Sequence, residues 1–270
     1  MTIPEIIGKL KSLDCIYCIE CGLTHMPYVV CNPTTYDDEI TLYAEEPAAI
    51  AAAEIIDRKG YKTTARKISQ KDIVDTLSSY LATGVNLLRI YLPEETITVS
   101  LDELIKRKLP ENLTPEQIPV ENPTLMISML YCMQEARKAE KTQEEMKKLN
   151  ELDEEMSRNI ALGKFYLSFT NVTTPEGTTE QLLCIPNKEG MVIPIFTDQY
   201  EIQKYLMNIS KANPAYDTVT GKVIEFKNLA SMQIGAALKG FVINPAGIAL
   251  GFPQAHVTRL IQAFCPTDAS

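Results

Sequence analysis

A chain of 270 residues is long enough for two domains of ordinary size, each able to bury its own core. Its 45% hydrophobic and 23% charged content is that of a soluble globular protein, and a formal net charge of −9 opposes the basic face that nucleic acid requires. No window nears the roughly 18–20 apolar residues of a membrane span. Met1–Leu10 lacks the basic region and long apolar run of a secretory signal. Seven cysteines, an odd number, argue against a fully paired disulfide framework. The expectation is a cytoplasmic protein with neither nucleic acid nor membrane as partner, and with no glycan on the sequons at Asn112, Asn171 and Asn208.

Ile3, Ile6, Ile7 and Leu10 follow helical spacing and predict an opening amphipathic helix. Cys15–Cys21 and Tyr28–Cys31 are short apolar runs, read as a hairpin or two neighbouring strands. Glu39–Ala44 alternates apolar and polar residues as a third strand. Pro47 sits in the first turn of an Ala-rich helix that runs to Arg58 and stops at Gly60. Tyr61–Ile68 reads as a polar strand, and Ser69 with Asp72 starts a helix ending near Gly84. A hairpin follows, Leu87–Tyr91 and Thr96–Val99 around Pro93-Glu94-Glu95, and Ser100 caps a last helix through Leu101, Leu104 and Ile105.

Pro110, Pro115, Pro119 and Pro123 mark a boundary, so residues 1–110 form one domain, 111–123 a Pro-rich linker and 124–270 a second domain with an N-terminal helical segment. Thr124–Leu162 contains neither Pro nor Gly and predicts one or two connecting helices. The stripe Met146, Leu149, Leu152, Met156 and Ile160 leaves a dimerising coiled coil, hence a homodimer, as the alternative. Beyond it come strands Lys164–Thr170 and Glu180–Ile185 joined by a turn-rich loop, and the strand Gly190–Phe196. Thr197 and Asp198 cap a helix Gln199–Asn208; a polar strand Lys222–Phe226 and a helix Leu229–Leu238 follow. The hairpin Phe241–Phe252 turns at Asn244-Pro245-Ala246-Gly247, where Pro245 presets φ and Gly247 takes the exit conformation. A helix Pro253–Phe264 ends the pattern.

Each half therefore reads strand, strand, strand, helix, strand, helix, hairpin, helix, which predicts a duplicated domain. The landmarks suggest pairing Val30-Cys31-Asn32 with Leu183-Cys184-Ile185, Leu42-Tyr43-Ala44 with Pro194-Ile195-Phe196, and Gly84 with Gly240. The expected fold class is α+β: two similar domains, each a mixed or antiparallel sheet with a C-terminal hairpin and helices mainly on one face. In the second half, G-M-V-I-P-I-F-T-D (Gly190–Asp198), a helix and G-F-V-I-N-P-A-G-I-A-L (Gly240–Leu250) resemble the SseB family of bacterial proteins, named for enhanced serine sensitivity. The resemblance covers about residues 124–264. In the first half Pro93-Glu94-Glu95 stands in place of the Asn-Pro-x-Gly turn, as in a diverged copy. The resemblance implies a soluble bacterial domain, carries over no catalytic residue, and through its family label suggests a secretion-associated accessory factor as one role.

Cys15-x-x-Cys18-x-x-Cys21, with Cys31 downstream, has the spacing of thiolates that clasp zinc or an iron–sulfur cluster. Against a metal site, spacing of three along a strand sends successive side chains to opposite faces, and the intervening Ile16, Tyr17, Ile19 and Glu20 are not turn residues. Packing of free cysteine in the core is the preferred reading. Only two histidines, His25 and His256, are available for Cys–His or Ser–His chemistry, and neither a nucleophile elbow nor a phosphate-binding glycine loop is present. No cofactor is expected. The resulting expectation is a non-enzymatic module that binds another protein or a small ligand, with a Cys-ligated metal protein of structural or redox role as the alternative.

Overall fold

The computed structural model describes residues 1–22, 24–106, 119–138, 140–174, 177–188, 190–210, 220–229, 231–232 and 238–265. The chain divides into two compact units, Met1–Asn112 with Met126–Glu154, and Leu113–Leu125 with Glu155–Ser270. In the first unit the order is α1 (Ile3–Ser12), β1 (Cys15–Cys21), β2 (Val30–Cys31), β3 (Asp38–Tyr43), α2 (Glu46–Asp57), β4 (Thr63–Ser69), α3 (Ile73–Ala82), β5 (Leu87–Tyr91), β6 (Thr96–Ser100) and α4 (Leu101–Leu104). Two helices follow, α5 (Pro123–Ala136) and α6 (Gln143–Leu162). Then come β7 (Lys164–Thr174), β8 (Gly177–Leu182), β9 (Ile185–Asn187), β10 (Gly190–Phe196), α7 (Gln199–Ser210), β11 (Thr220–Glu225), α8 (Phe226–Leu229), β12 (Leu238–Ile243), β13 (Leu250–Pro253) and α9 (Gln254–Phe264).

The two sheets share one topology. The first runs β4-β1-β3-β5-β6 with β2 on β3; the second runs β11-β7-β10-β12-β13 with β9 on β10 and an additional strand, β8, on β7. In each, the third strand is parallel to the first strand of the closing hairpin (β3 with β5, β10 with β12), and the other pairings along the path are antiparallel. The expected α+β class with two similar mixed sheets, each closed by a hairpin, is what the chain adopts.

Strand register fixes which residues correspond. Leu42 faces Cys18 and Ile90 in one sheet, as Ile195 faces Leu167 and Ile243 in the other. Tyr43 therefore answers Phe196, not Ile195, and the landmark pairing of Leu42 with Pro194 slips by one residue. Likewise Val30 lies opposite Glu39 and Ile185 opposite Val192, so Cys31 answers Pro186 rather than Cys184. Leu87 pairs with Glu39 as Gly240 pairs with Val192, so Gly240 answers Leu87 and not Gly84. Such slips matter because one residue moves a side chain to the other face of the sheet.

Pleating sorts the cores. In the second unit Tyr166 and Phe196 meet Tyr205, with Ile202, Leu206 and Ile209 of α7 packed alongside. Phe165, one residue earlier, contacts Phe226 of α8, which meets Phe252, itself against Phe241 and His256 of α9. In the first unit Ile16, Ile40, Leu42, Leu88, Ile90 and Leu101 are fully buried.

Three expectations change. Of the helix foreseen over Leu229–Leu238, Leu229 closes α8, Ser231 and Met232 are not helical, and Leu238 opens β12, while residues 230 and 233–237 lie outside the described residues. The loop foreseen over Asn171–Thr179 is mostly strand, because β7 and β8 pair from Phe169–Leu182 out to Thr174–Gly177. The helical segment expected with the second domain lends Met126–Glu154 to the first unit. Its side chains show why: the Gln134 amide donates to the Val29 carbonyl and accepts from the Val29 N–H, both at 2.9 Å. Glu135 Oε1 accepts from Tyr61 and Lys148, both at 2.8 Å, Lys138 stands 2.9 Å from Oε2 as an ion pair, and Tyr131 donates to Asp38. Most of the linker expected over 111–123, residues 111–118, lies outside the described residues.

Gly240 is where the closing hairpin is least forgiving. A Cβ there would lie 2.2 Å from the Phe252 carbonyl oxygen and 2.9 Å from Pro253 Cα. Gly240→Ala should cost about 1–3 kcal/mol through forced backbone movement, read as a lower urea midpoint at unchanged slope.

Candidate functional site

The two stretches that carry the family resemblance meet in space. The β12–β13 turn spans Asn244–Ala249, and the T-D cap lies between β10 and α7. Asn244 takes a left-handed φ of 47°, which asparagine tolerates, and Ala249 does so at 51°. Gly247, expected to supply that conformation, is not among the positive-φ residues. Its lack of a side chain serves another purpose: a Cβ would lie 2.6 Å from Glu201 Oε2.

The first copy shows what Asn244 replaces. There the Ala44 N–H donates to the Tyr91 carbonyl at 2.9 Å. At the equivalent place Asn244 turns its carbonyl toward the Gly247 and Ala249 N–H groups, at 2.8 and 3.0 Å. Its side chain substitutes: Oδ1 accepts the Thr197 N–H at 3.0 Å, and Nδ2 donates to Thr197 Oγ1 at 2.8 Å. The Thr197 hydroxyl donates to Asp198 Oδ2 at 2.8 Å, and Asp198 Oδ1 caps α7 by accepting the Glu201 N–H at 3.0 Å. Thr197 and Asn244 are wholly buried and Asp198 nearly so.

Glu201 stands at the helix position from which a capping-box carboxylate would reach back, but here it lies beneath Gly247. The residue is 7% exposed, and Oε2 is buried without a hydrogen-bond partner. Lys204 Nζ stands 3.7 Å from Oε1. Burial pushes the carboxyl up to about 7; Lys204 works against this and the neighbouring Asp198 adds to it. The folded chain thus holds this proton more tightly than the unfolded one. That contribution is fully present below the ordinary value of 4.5 and is lost as pH rises through 7, about 3 kcal/mol across the window.

Beside this turn, a groove of about 610 Å³ lies across β9, β10, β12 and β13. Ile185, Val192, Val242, Pro245 and Ala249 give it apolar walls, and Lys188 and Lys239 lie at the end remote from the turn. The first copy has no such wall. Glu39 and Arg89 stand at the Val192 and Val242 positions and form a forked ion pair, Nε–Oε1 2.6 Å and Nη2–Oε2 2.8 Å. Tyr91 stands at the Asn244 position and stacks on Tyr43 with centroids 5.2 Å apart. By the same register Ala48 answers Glu201 and Glu94 answers Gly247, so acid and small residue are exchanged between helix and turn.

The cysteines singled out by spacing do not converge. The Cys18 thiol meets the Tyr80 hydroxyl at 3.1 Å, Cys21 points at Gln134 Oε1 4.0 Å away, and Cys15 lies 3.7 Å from the Tyr17 hydroxyl. Cys31 is exposed on β2. The pleat of β1 separates Cys18 from Cys15 and Cys21. Among the described residues, no three Cys, His, Asp or Glu side chains are placed to hold a metal ion. All seven cysteines are free thiols. Burial pushes Cys18 and Cys21 up to about 11, which suits core packing rather than ligation. Spacing missed Glu201; the available signal was Asp198-x-x-Glu201 directly after a strand, facing a turn that ends in glycine.

No family model matches the sequence, and no curated protein matches it. Among solved structures, Tic22 from Plasmodium falciparum aligns over 97% of this chain and 99% of its own at 11% identity and a TM-score of 0.24. Anabaena Tic22, described with protein transport, aligns over 89% and 92% at 10% identity and 0.23. Likeness this weak carries no argument about this chain.

Two outcomes are expected. Asn244→Ala should destabilise the protein by about 1–3 kcal/mol, since Thr197 loses buried partners on both its N–H and its hydroxyl, measured by urea unfolding. Iodoacetamide at pH 7.5 should alkylate Cys31 well before Cys18 or Cys21, followed by peptide mass mapping of the native protein.

Proposed function

We propose that this chain is a non-enzymatic, cytoplasmic, SseB-like tandem protein whose second copy binds an extended segment of another protein. The groove carries the reading. It follows β10 and β12 for about six residues, roughly 20 Å at strand rise, and much of its wall is exposed, as at Pro186, Ala249, Gly251 and Pro253. That shape suits an extended peptide more than a compact metabolite. Apolar walls with Lys188 and Lys239 at one end, on a chain of net charge −9, favour apolar side chains followed by an acidic residue or a terminal carboxylate. The first copy, with its ion pair across the same face, serves as scaffold. Among the described residues no helix is long and apolar enough to cross a membrane.

The test is to pan a displayed library of free-C-terminus heptapeptides on the full chain and measure the enriched peptides by fluorescence anisotropy. Apolar peptides with an acidic end should be enriched. Val242→Asp, and Lys188→Glu with Lys239→Glu, should each weaken binding roughly tenfold or more, with circular dichroism confirming folding. No enrichment, or enriched peptides indifferent to these changes, would overturn the reading. A retained metabolite in native mass spectra, displaced by Val242→Asp, would replace the peptide with a small ligand.

A further inference from the structure

Pro245 and Ala249 form the end of the groove, and the turn that carries them rests on an acid with a buried, unpartnered oxygen. A Cβ on Gly247 would lie 2.6 Å from Glu201 Oε2, so the carboxyl lies close beneath the turn. Among the described residues, the charged groups facing Glu201 lie on its own helix and cap: Lys204, whose side chain is 44% exposed, and Asp198, already engaged by Thr197 and the Glu201 N–H. The end of β10 offers Thr197, and the turn Asn244–Ala249 holds no titratable side chain. Among the described residues, a negative charge on Glu201 is faced by one cation, the half-exposed Lys204 at 3.7 Å from Oε1, while Oε2 stays buried without a hydrogen-bond partner beneath the turn.

We propose that Glu201 is a proton-operated latch: neutral, it lets the Asn244–Ala249 turn seat on α7 and complete the groove, and ionised, it drives the turn outward into water. The geometry gives a direction. The groove is complete on the acid side of neutrality and open at one end on the alkaline side. A folded-state carboxyl held up to about 7 places the change within the physiological range. The link to ligand rests on the groove reading; the latch does not.

The experiment uses the full chain with ¹³C-labelled glutamate and needs no ligand for its first part. Glu201 should titrate near pH 7, and amide-exchange protection over residues 244–249 should fall roughly tenfold between pH 6 and pH 8, as a closed state that requires the proton predicts. In Glu201→Gln the protection should be the same at both pH values. Titration of Glu201 near 4.5, or equal protection at pH 6 and 8 in the unmodified chain, would overturn the latch, and both are read without the variant. The heptapeptides enriched above are then measured at pH 6 and 8. Tighter binding at pH 6 supports control of the groove, and equal binding beside a titrating turn overturns that control alone. Absence of any peptide binding beside a titrating turn overturns the groove reading and leaves the latch supported.

Discussion

Everything in each unit follows from one parallel strand pair. A parallel neighbour cannot be reached through a tight turn, because the chain must return to the end at which it started. After β3 or β10 the chain therefore leaves the sheet as a helix, adds a strand at the far edge and crosses back before laying down β5 or β12. The same pairing fixes where things meet. The cap after the third strand and the turn after the hairpin's first strand fall at the same end of the sheet. Any polar chemistry shared by Thr197–Glu201 and Asn244–Ala249 is a product of that topology.

Within this shared frame the copies have diverged by face and not by architecture. The first seals one face of its inner strands β3 and β5 with Glu39–Arg89 and a tyrosine stack; the second has Val192 and Val242 at the positions of that ion pair. A forked ion pair across two strands satisfies both charges where they stand, so nothing is left for a visitor to satisfy. Aliphatic side chains on an open face present apolar surface that an occupant can cover.

Much of the element order was legible in the residues. Periodicity located α1, α2, α3 and β1, and proline and glycine located both hairpins. Register was not legible, since aligning Leu42 with Pro194 and Cys31 with Cys184 matched letters while hydrogen bonding places each elsewhere. The cysteine spacing drew attention because it is a chemical pattern, yet strand pleating disperses it. Glu201 passed unnoticed because its role depends on a residue 46 positions later, Gly247, whose absent side chain records the contact. A turn glycine read from sequence announces backbone freedom; this one keeps a space clear.

The exchange of acid and small residue between the two units also bears on whether they can trade parts. The turns Tyr91–Thr96 and Asn244–Ala249 are equal in length and sit at matching register, so exchanging them would need no change of loop length. Such a swap would set Glu94 over Glu201 in one half, two acids in one dry space, and pair Gly247 with Ala48 in the other. Helix and turn are matched within each unit and mismatched across them, so a change in either member of a pair constrains the other.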